Sequence, residues 1–310
     1  MAYSESKYRR RLSLGQSGNS LMTLIAISLV MFVLFAFIKV IWYFIYADKD
    51  AAASSFTTDV LNWFILPADL NKLAIRPWTI LTHMFMQVKF WNIFANMLWL
   101  WSFGYIMQDI TGNKKIIPVF VYGSLAGAIA FILSYNLIPG LRTQLPIAAT
   151  MGASAGVMAI AISTTIIAPD YRIFPMLNGG IPLWVLTAFY VIIDLVTVAN
   201  TDTATLLSHF AGGLTGFLFI FFYRKGYDWS GWMNNFFEWV NDLFNPDKPK
   251  KGKNIKKELF YKSSSAPYKK TPNITQQRID EILDKINQKG YQHLTEEEKE
   301  MLKRISQEDL

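Results

Sequence analysis

Apolar residues come in blocks along this chain, separated by short polar joints. The blocks cover residues 20–46, 90–108, 115–138, 152–168, 183–200 and 204–223. Each is roughly long enough to cross a hydrocarbon core of about 30 Å as a helix. The pattern predicts an all-α polytopic membrane protein with six spans over residues 20–223. The joints are "TGNKK", "PGLRTQLP", "PDYRIFPMLNGGIP" and "NTDTAT". Residues 47–88 form a longer loop. Its stretch "FTTDVLNWFILPADL" is moderately apolar and broken by Pro67, so it reads as interfacial and re-entrant. Beyond the last block the chain turns aromatic ("YDWSGWMNNFFEWV") and then becomes a Lys/Ser/Pro linker, together residues 224–273. Residues 274–310 read as a soluble helical hairpin. "QQRIDEILDKINQKG" has apolar residues at helical spacing and ends on Gly290, a C′ residue. Thr295-x-x-Glu298 is a capping-box pattern.

Composition agrees with a lipid solvent. Of 310 residues, 52% are hydrophobic and only 17% charged, where a soluble domain carries about a quarter. There are no cysteines, which excludes disulfides, thiolate catalysis and Cys-based zinc sites. With three histidines, His83, His209 and His293, no metal site and no cofactor are expected. The net charge of +7 does not point to nucleic acid, because the basic residues cluster beside the apolar blocks. Lys7, Arg9, Arg10 and Arg11 precede the first block, Lys114 and Lys115 lie in "TGNKK", and Arg172 in "PDYRIFPMLNGGIP". The positive-inside rule then places both termini, residues 1–19 and the tail, in the cytoplasm. Trp42, Tyr43, Phe44 and Tyr46 form an interfacial aromatic cluster at the far end of the first span. That span has no cleavage site and is too long for a signal peptide.

Polar groups inside a span need a reason. Ser154 opens the fourth block within "MGASAG", where Gly152 and Gly156 also match small-xxx-small helix packing. His209 lies in the sixth block, followed by Gly212, Gly213 and Gly216. That face has little bulk, so the small-faced fourth span can pack against it and bring the Ser154 hydroxyl to the imidazole. A serine needs such an adjacent base to become a nucleophile. Asn92 and Asn96 share one face of the second span at similar depth. They read either as interhelical hydrogen-bond glue or as donors to an oxyanion. His83 reads as structural or interfacial. Asp194, in the fifth span, is a buried acid to which the sequence gives no partner.

These residues resemble the rhomboid family of intramembrane serine proteases across residues 20–223. The family's G-x-S is Gly152-Ala153-Ser154, and its H-x-x-G-x-x-x-G is His209-x-x-Gly212-x-x-x-Gly216. The "LTHMFMQVKFWNIFANMLWLW" stretch is similar to its second-span signature. The resemblance implies a Ser–His dyad without a required Asp, a water-filled cavity on the external side and transmembrane protein substrates in the bilayer. It also implies small residues at the cleavage point, and a bacterial plasma-membrane protein whose C-terminal module meets a cytosolic partner not named by the sequence. The family's second-span H-x-x-x-x-H-x-x-x-N reads here as Gln87, Asn92 and Asn96, so only the last position matches. Asn92 stands where a histidine helps form the oxyanion hole. Ala155 stands where the family often has Gly. Two other classes compete: a catalytically impaired rhomboid-like protein that binds or chaperones membrane clients, and a transporter or channel. Retained Ser154 and His209 argue against the first, and the lack of paired inverted halves against the second.

Overall fold

The computed structural model describes residues 19–46, 48–173, 179–199, 202–243 and 276–308. The basic stretch before Asn19 and most of the linker lie outside them. The described chain falls into two units divided after Asn245.

The first unit is helical throughout its core. Its long helices are α1 (Ser20–Ile45), α5 (Phe90–Thr111), α6 (Ile116–Leu137), α7 (Ser154–Ile167), α8 (Leu183–Ala199) and α9 (Thr203–Arg224). Three of them, α1, α6 with its leading turn, and α9, are long and apolar enough to cross a membrane; α7 and α8 are apolar but shorter. Side-chain exposure runs opposite to that of a soluble protein. Val30, Phe37, Trp91, Ile192 and Phe210 are exposed large apolar residues on helix surfaces, as a lipid solvent requires.

The loop over residues 47–88 contains more regular structure than its sequence predicts. It holds α2 (Lys49–Asp59), α3 (Leu70–Ile75) and α4 (Thr79–Thr82). Asp48 and Asp69 cap the first two by accepting the Ala51 and Asn71 N–H groups. Pro67 does not simply break the segment. Leu66–Pro67 (β1) pairs antiparallel with Ala149–Thr150 (β2), which leads into α7. Proline is tolerated on such a two-residue edge pairing. Phe56, Leu61, Ile65 and Met86 pack with Phe35 of α1. Arg76 stacks over Trp63, which stacks on Trp78.

The centre of the unit is α7, buried along most of its length between α6 and α9. The approach is backbone-close on both sides. A Cβ on Gly216 would lie 2.2 Å from the Ala159 carbonyl oxygen, and one on Gly212 2.3 Å from the Ala155 oxygen. On the α6 side, Cβ atoms on Gly123 and Gly127 would lie 2.3 Å and 2.6 Å from the Ala159 and Ala155 Cβ atoms. Only glycine permits these contacts. Hydroxyls complete the interfaces: Ser163 donates to the Gly216 carbonyl, Thr164 to Ile160 and Phe103, and Thr165 pairs with Thr187 of α8.

Polar anchors set the ends. Asp202 caps α9 by accepting the Ala204 N–H and the Thr205 hydroxyl, and it also accepts the Tyr135 hydroxyl of α6. At the opposite end Lys115 pairs with Asp228 and donates to Ser230. Lys115 is therefore a neutralised tether between the start of α6 and the segment after α9, as well as part of the basic joint. Helix α10 (Gly231–Leu243) follows, exposing Trp232, Phe236 and Trp239.

The second unit contains α11 (Gln276–Lys289) and α12 (Glu296–Glu308). Gly290 follows α11 with φ of +84°, a backbone conformation that favours glycine. The predicted capping box is formed: Glu298 accepts the Thr295 N–H at 2.7 Å, and Thr295 Oγ1 accepts the Glu298 N–H at 3.4 Å. Lys285 of α11 pairs with Glu298 at 2.8 Å.

Gly216→Ala should destabilise the first unit by about 1–3 kcal/mol or more, since backbone on both sides cannot yield as a side-chain tip does; reversible unfolding in mixed micelles measures it. The Lys285 hydrogen bond, then the Thr295 N–H, hold the Glu298 carboxyl down to about 2 from an ordinary 4.5. The folded-state value is lowered, so its contribution to α11–α12 stability is full above pH 4.5 and is lost as pH falls toward 2. Carboxyl NMR titration should place the Glu298 midpoint far below that of the other glutamates, and Lys285→Met should move it upward.

Candidate functional site

The site begins with the turn before α7. Gly152 has φ of +130°, a conformation L side chains rarely adopt. Its N–H donates to the His83 carbonyl at 2.9 Å. His83 is buried, with Nδ1 held at 3.0 Å from the Thr79 carbonyl oxygen. The His83 backbone thus pins the turn that presents Ser154. The β1–β2 pairing and the Ala68 N–H to Ala148 bond hold the same strand from the loop side.

Ser154 is the first residue of α7. The N–H groups of a first helical turn have no intrahelical acceptor and carry the positive end of the helix dipole. The Ser154 hydroxyl and these donors therefore share one place. His209 lies two turns past the Asp202 cap of α9, about 10 Å along the axis. Its Nε2 stands 2.6 Å from Ser154 Oγ. The packing of Gly212 and Gly216 on Ala155 and Ala159 creates this proximity, because it holds the two helix axes at the closest distance a backbone allows.

The glycines do not all act as the sequence suggests. Gly212 and Gly216 form the contact with α7. Gly156 faces α6 instead: a Cβ there would meet Ser124 Oγ at 2.5 Å and Phe120 Cδ2 at 2.7 Å. Gly152 lies outside the helix and serves the turn. The surface of α7 that meets α9 is Ala155 and Ala159, and the Ala155 position is correspondingly a packing position. Residues four apart share a helix face, and sequence alone does not say which face meets which neighbour.

Asn96 Nδ2 donates to Gln87 Oε1 at 2.8 Å, which orients the amide and leaves its second hydrogen for another acceptor. Gln87 is buried, and its own Nε2 has no partner among the described residues. Asn92 is exposed on the same face of α5. Of the two asparagines, Asn96 is the one held in a fixed orientation.

Asp194 is the residue whose partner sequence reasoning missed. Its carboxylate oxygens lie 2.9 Å and 2.8 Å from His209 Nδ1. Both side chains are nearly enclosed, 13% and 7% exposed. The signal available was the isolated charge in an apolar block; its direction was hidden because α8 and α9 are joined by a loop whose geometry the sequence leaves open. A cavity of about 440 Å³ opens beside the pair, lined by Met158, Val191, Leu195, Leu206 and Phe210 as well as by Asp194 and His209. Among the described residues no cluster of His, Asp and Glu has the makeup of a metal site.

The rhomboid domain family model matches residues 75–226, from the end of α3 through α9. Residues 266–308 match a family of unknown function, DUF6576. No curated protein sequence matches the chain. The first match spans Ser154, His209, Asp194, Asn96 and all the glycines of the α6–α7–α9 interface, and together with the apolar helices it makes this an integral membrane protein. The resemblance read from G-x-S and H-x-x-G-x-x-x-G therefore holds, and residues 75–226 of this chain are a rhomboid domain.

Proposed function

We propose that the protein is an intramembrane serine endopeptidase that cleaves transmembrane segments of membrane proteins, with Ser154 as nucleophile and His209 as general base. The observation that carries this reading is the 2.6 Å approach of Ser154 Oγ to His209 Nε2 between two helices distant in sequence.

In this reading α1, α5, α6, α7, α8 and α9 are six spans with both termini in the cytoplasm, in a bacterial plasma membrane. Helix α7, with 14 residues, rises only about 21 Å, short of a hydrocarbon core of about 30 Å. Its start is therefore sunk below the external surface, under the residue 138–150 joint and the residue 47–88 loop. A serine at that depth meets substrates in the bilayer, and water reaches it from the external side.

His209 accepts the Ser154 proton on Nε2 as Oγ attacks a peptide carbonyl carbon. The negative charge moves to the carbonyl oxygen. The Ser154 N–H at the start of α7 and the Asn96 amide, oriented by Gln87, donate to it, with Asn92 as a further donor on the same face. His209 then gives the proton to the leaving amine nitrogen as the C–N bond breaks. Water, deprotonated by His209, hydrolyses the acyl-enzyme and restores Ser154. No cofactor enters these steps. A substrate must expose its carbonyls, so a segment that unwinds readily near its external end is favoured over a continuous helix. The C-terminal helices would meet a cytosolic partner.

The test is cleavage of single-span reporters in proteoliposomes. Ser154→Ala and His209→Ala should each abolish cleavage; binding of reporters by wild type with no cleavage of any of them overturns the reading in favour of a client-binding protein. Asn96→Ala should lower kcat by about 10²–10³-fold with little change in KM. Asn92→Ala, at an exposed position, should cost much less.

A further inference from the structure

The structure assigns Asp194 the role of a positioning residue that holds the His209 ring with Nδ1 protonated, so that Nε2 is the free acceptor for the Ser154 hydroxyl. This rests on the proposed protease reading and adds a third side chain to its Ser–His pair.

A neutral imidazole has two tautomers. Only the one with hydrogen on Nδ1 leaves Nε2 able to take the Ser154 proton. In the other, Nε2–H points at Oγ and the serine is not activated. A carboxylate accepts hydrogen bonds and donates none. With both Asp194 oxygens within 2.9 Å of Nδ1, the carboxylate selects the productive tautomer. It also opposes the charge that appears on the ring when the proton arrives, in a surrounding of Met158, Val191 and Leu206 where little else screens it.

The location strengthens the assignment. Asp194 is the sole charged residue of α8, whose other members are apolar or hydroxylic. A carboxylate in such a helix is costly unless paired, and the hydrogen bonds described for it both go to Nδ1. Helix packing fixes where the His209 backbone sits, through Gly212 and Gly216. It does not choose between ring nitrogens. That choice requires a polar partner at Nδ1, and α8 supplies it. The chain order is Ser154, Asp194, His209, so the three groups come from three successive helices.

The experiment uses the full chain in proteoliposomes or micelles, labelled with ¹⁵N-histidine, with Asp194→Asn and Asp194→Glu beside wild type. Wild type should show His209 protonated on Nδ1, with a strongly downfield N–H proton. In Asp194→Asn that proton should move upfield or the Nε2–H tautomer should appear, while thermal unfolding stays near wild type. The rate of Ser154 labelling by a fluorophosphonate, and kcat on a cleaved reporter, should fall by about 10²–10⁴-fold, as when an orienting carboxylate is lost from a Ser–His–Asp site. KM should be nearly unchanged, and Asp194→Glu should recover part of the rate. An Nε2–H tautomer in wild type, or a His209 signal and labelling rate indifferent to Asp194→Asn, overturns the assignment. Should Asp194→Asn fail to fold, the wild-type tautomer and the Asp194→Glu rates decide it. Absence of reporter cleavage with the Nδ1–H signature intact would instead count against the protease reading, so the two failures are told apart.

Discussion

The structure depends on a contact between backbones. Gly212 and Gly216 let α9 rest on the carbonyls of Ala155 and Ala159, and no residue with a side chain fits there. In lipid, apolar side chains gain nothing by leaving the solvent for one another, so helix association relies on close van der Waals packing and interhelical hydrogen bonds. This contact supplies the first, and Ser163 on the Gly216 carbonyl supplies the second. Because α6 presses on α7 from the other side through Gly123 and Gly127, α7 is held on both flanks. Its first residue, Ser154, inherits that rigidity.

Everything else about the site is alignment relative to that axis. Asp202 anchors α9 to α6 through Tyr135 and so sets how deep His209 lies. The His83 carbonyl anchors the Gly152 turn and so sets where α7 begins. Gln87 orients Asn96 on α5. These are short, local polar contacts made to a scaffold already fixed by glycine packing, the arrangement expected where reacting groups must sit within fractions of an ångström of one another.

The resemblance implies a serine and a histidine, with no acid required. Here a carboxylate stands behind the histidine as well. An acid in an apolar helix would be a burden without a partner, and a histidine held only by packing has an undetermined tautomer. Each group resolves the other's difficulty. The departure at Asn92, by contrast, leaves an exposed amide on α5 while the matching Asn96 remains held.

Much of this was legible in the chain. The apolar blocks predicted the helices nearly to their ends, because in lipid a helix must satisfy its own backbone and an apolar run of that length has no other form. Gly290 and Thr295-x-x-Glu298 predicted the helix ends of the tail, because caps are local. Ser154 and His209 stood out because polar groups in apolar runs are costly. What the sequence left open lay in relations across helices: that Gly156 faces α6, that the backbone of Ala155 and Ala159 is what meets α9, that Pro67 pairs beside the Ser154 turn, and that Asp194 reaches His209. Residues share a face by spacing alone, but which neighbour that face meets is decided by the packing of all the helices together, and only the tertiary structure contains that.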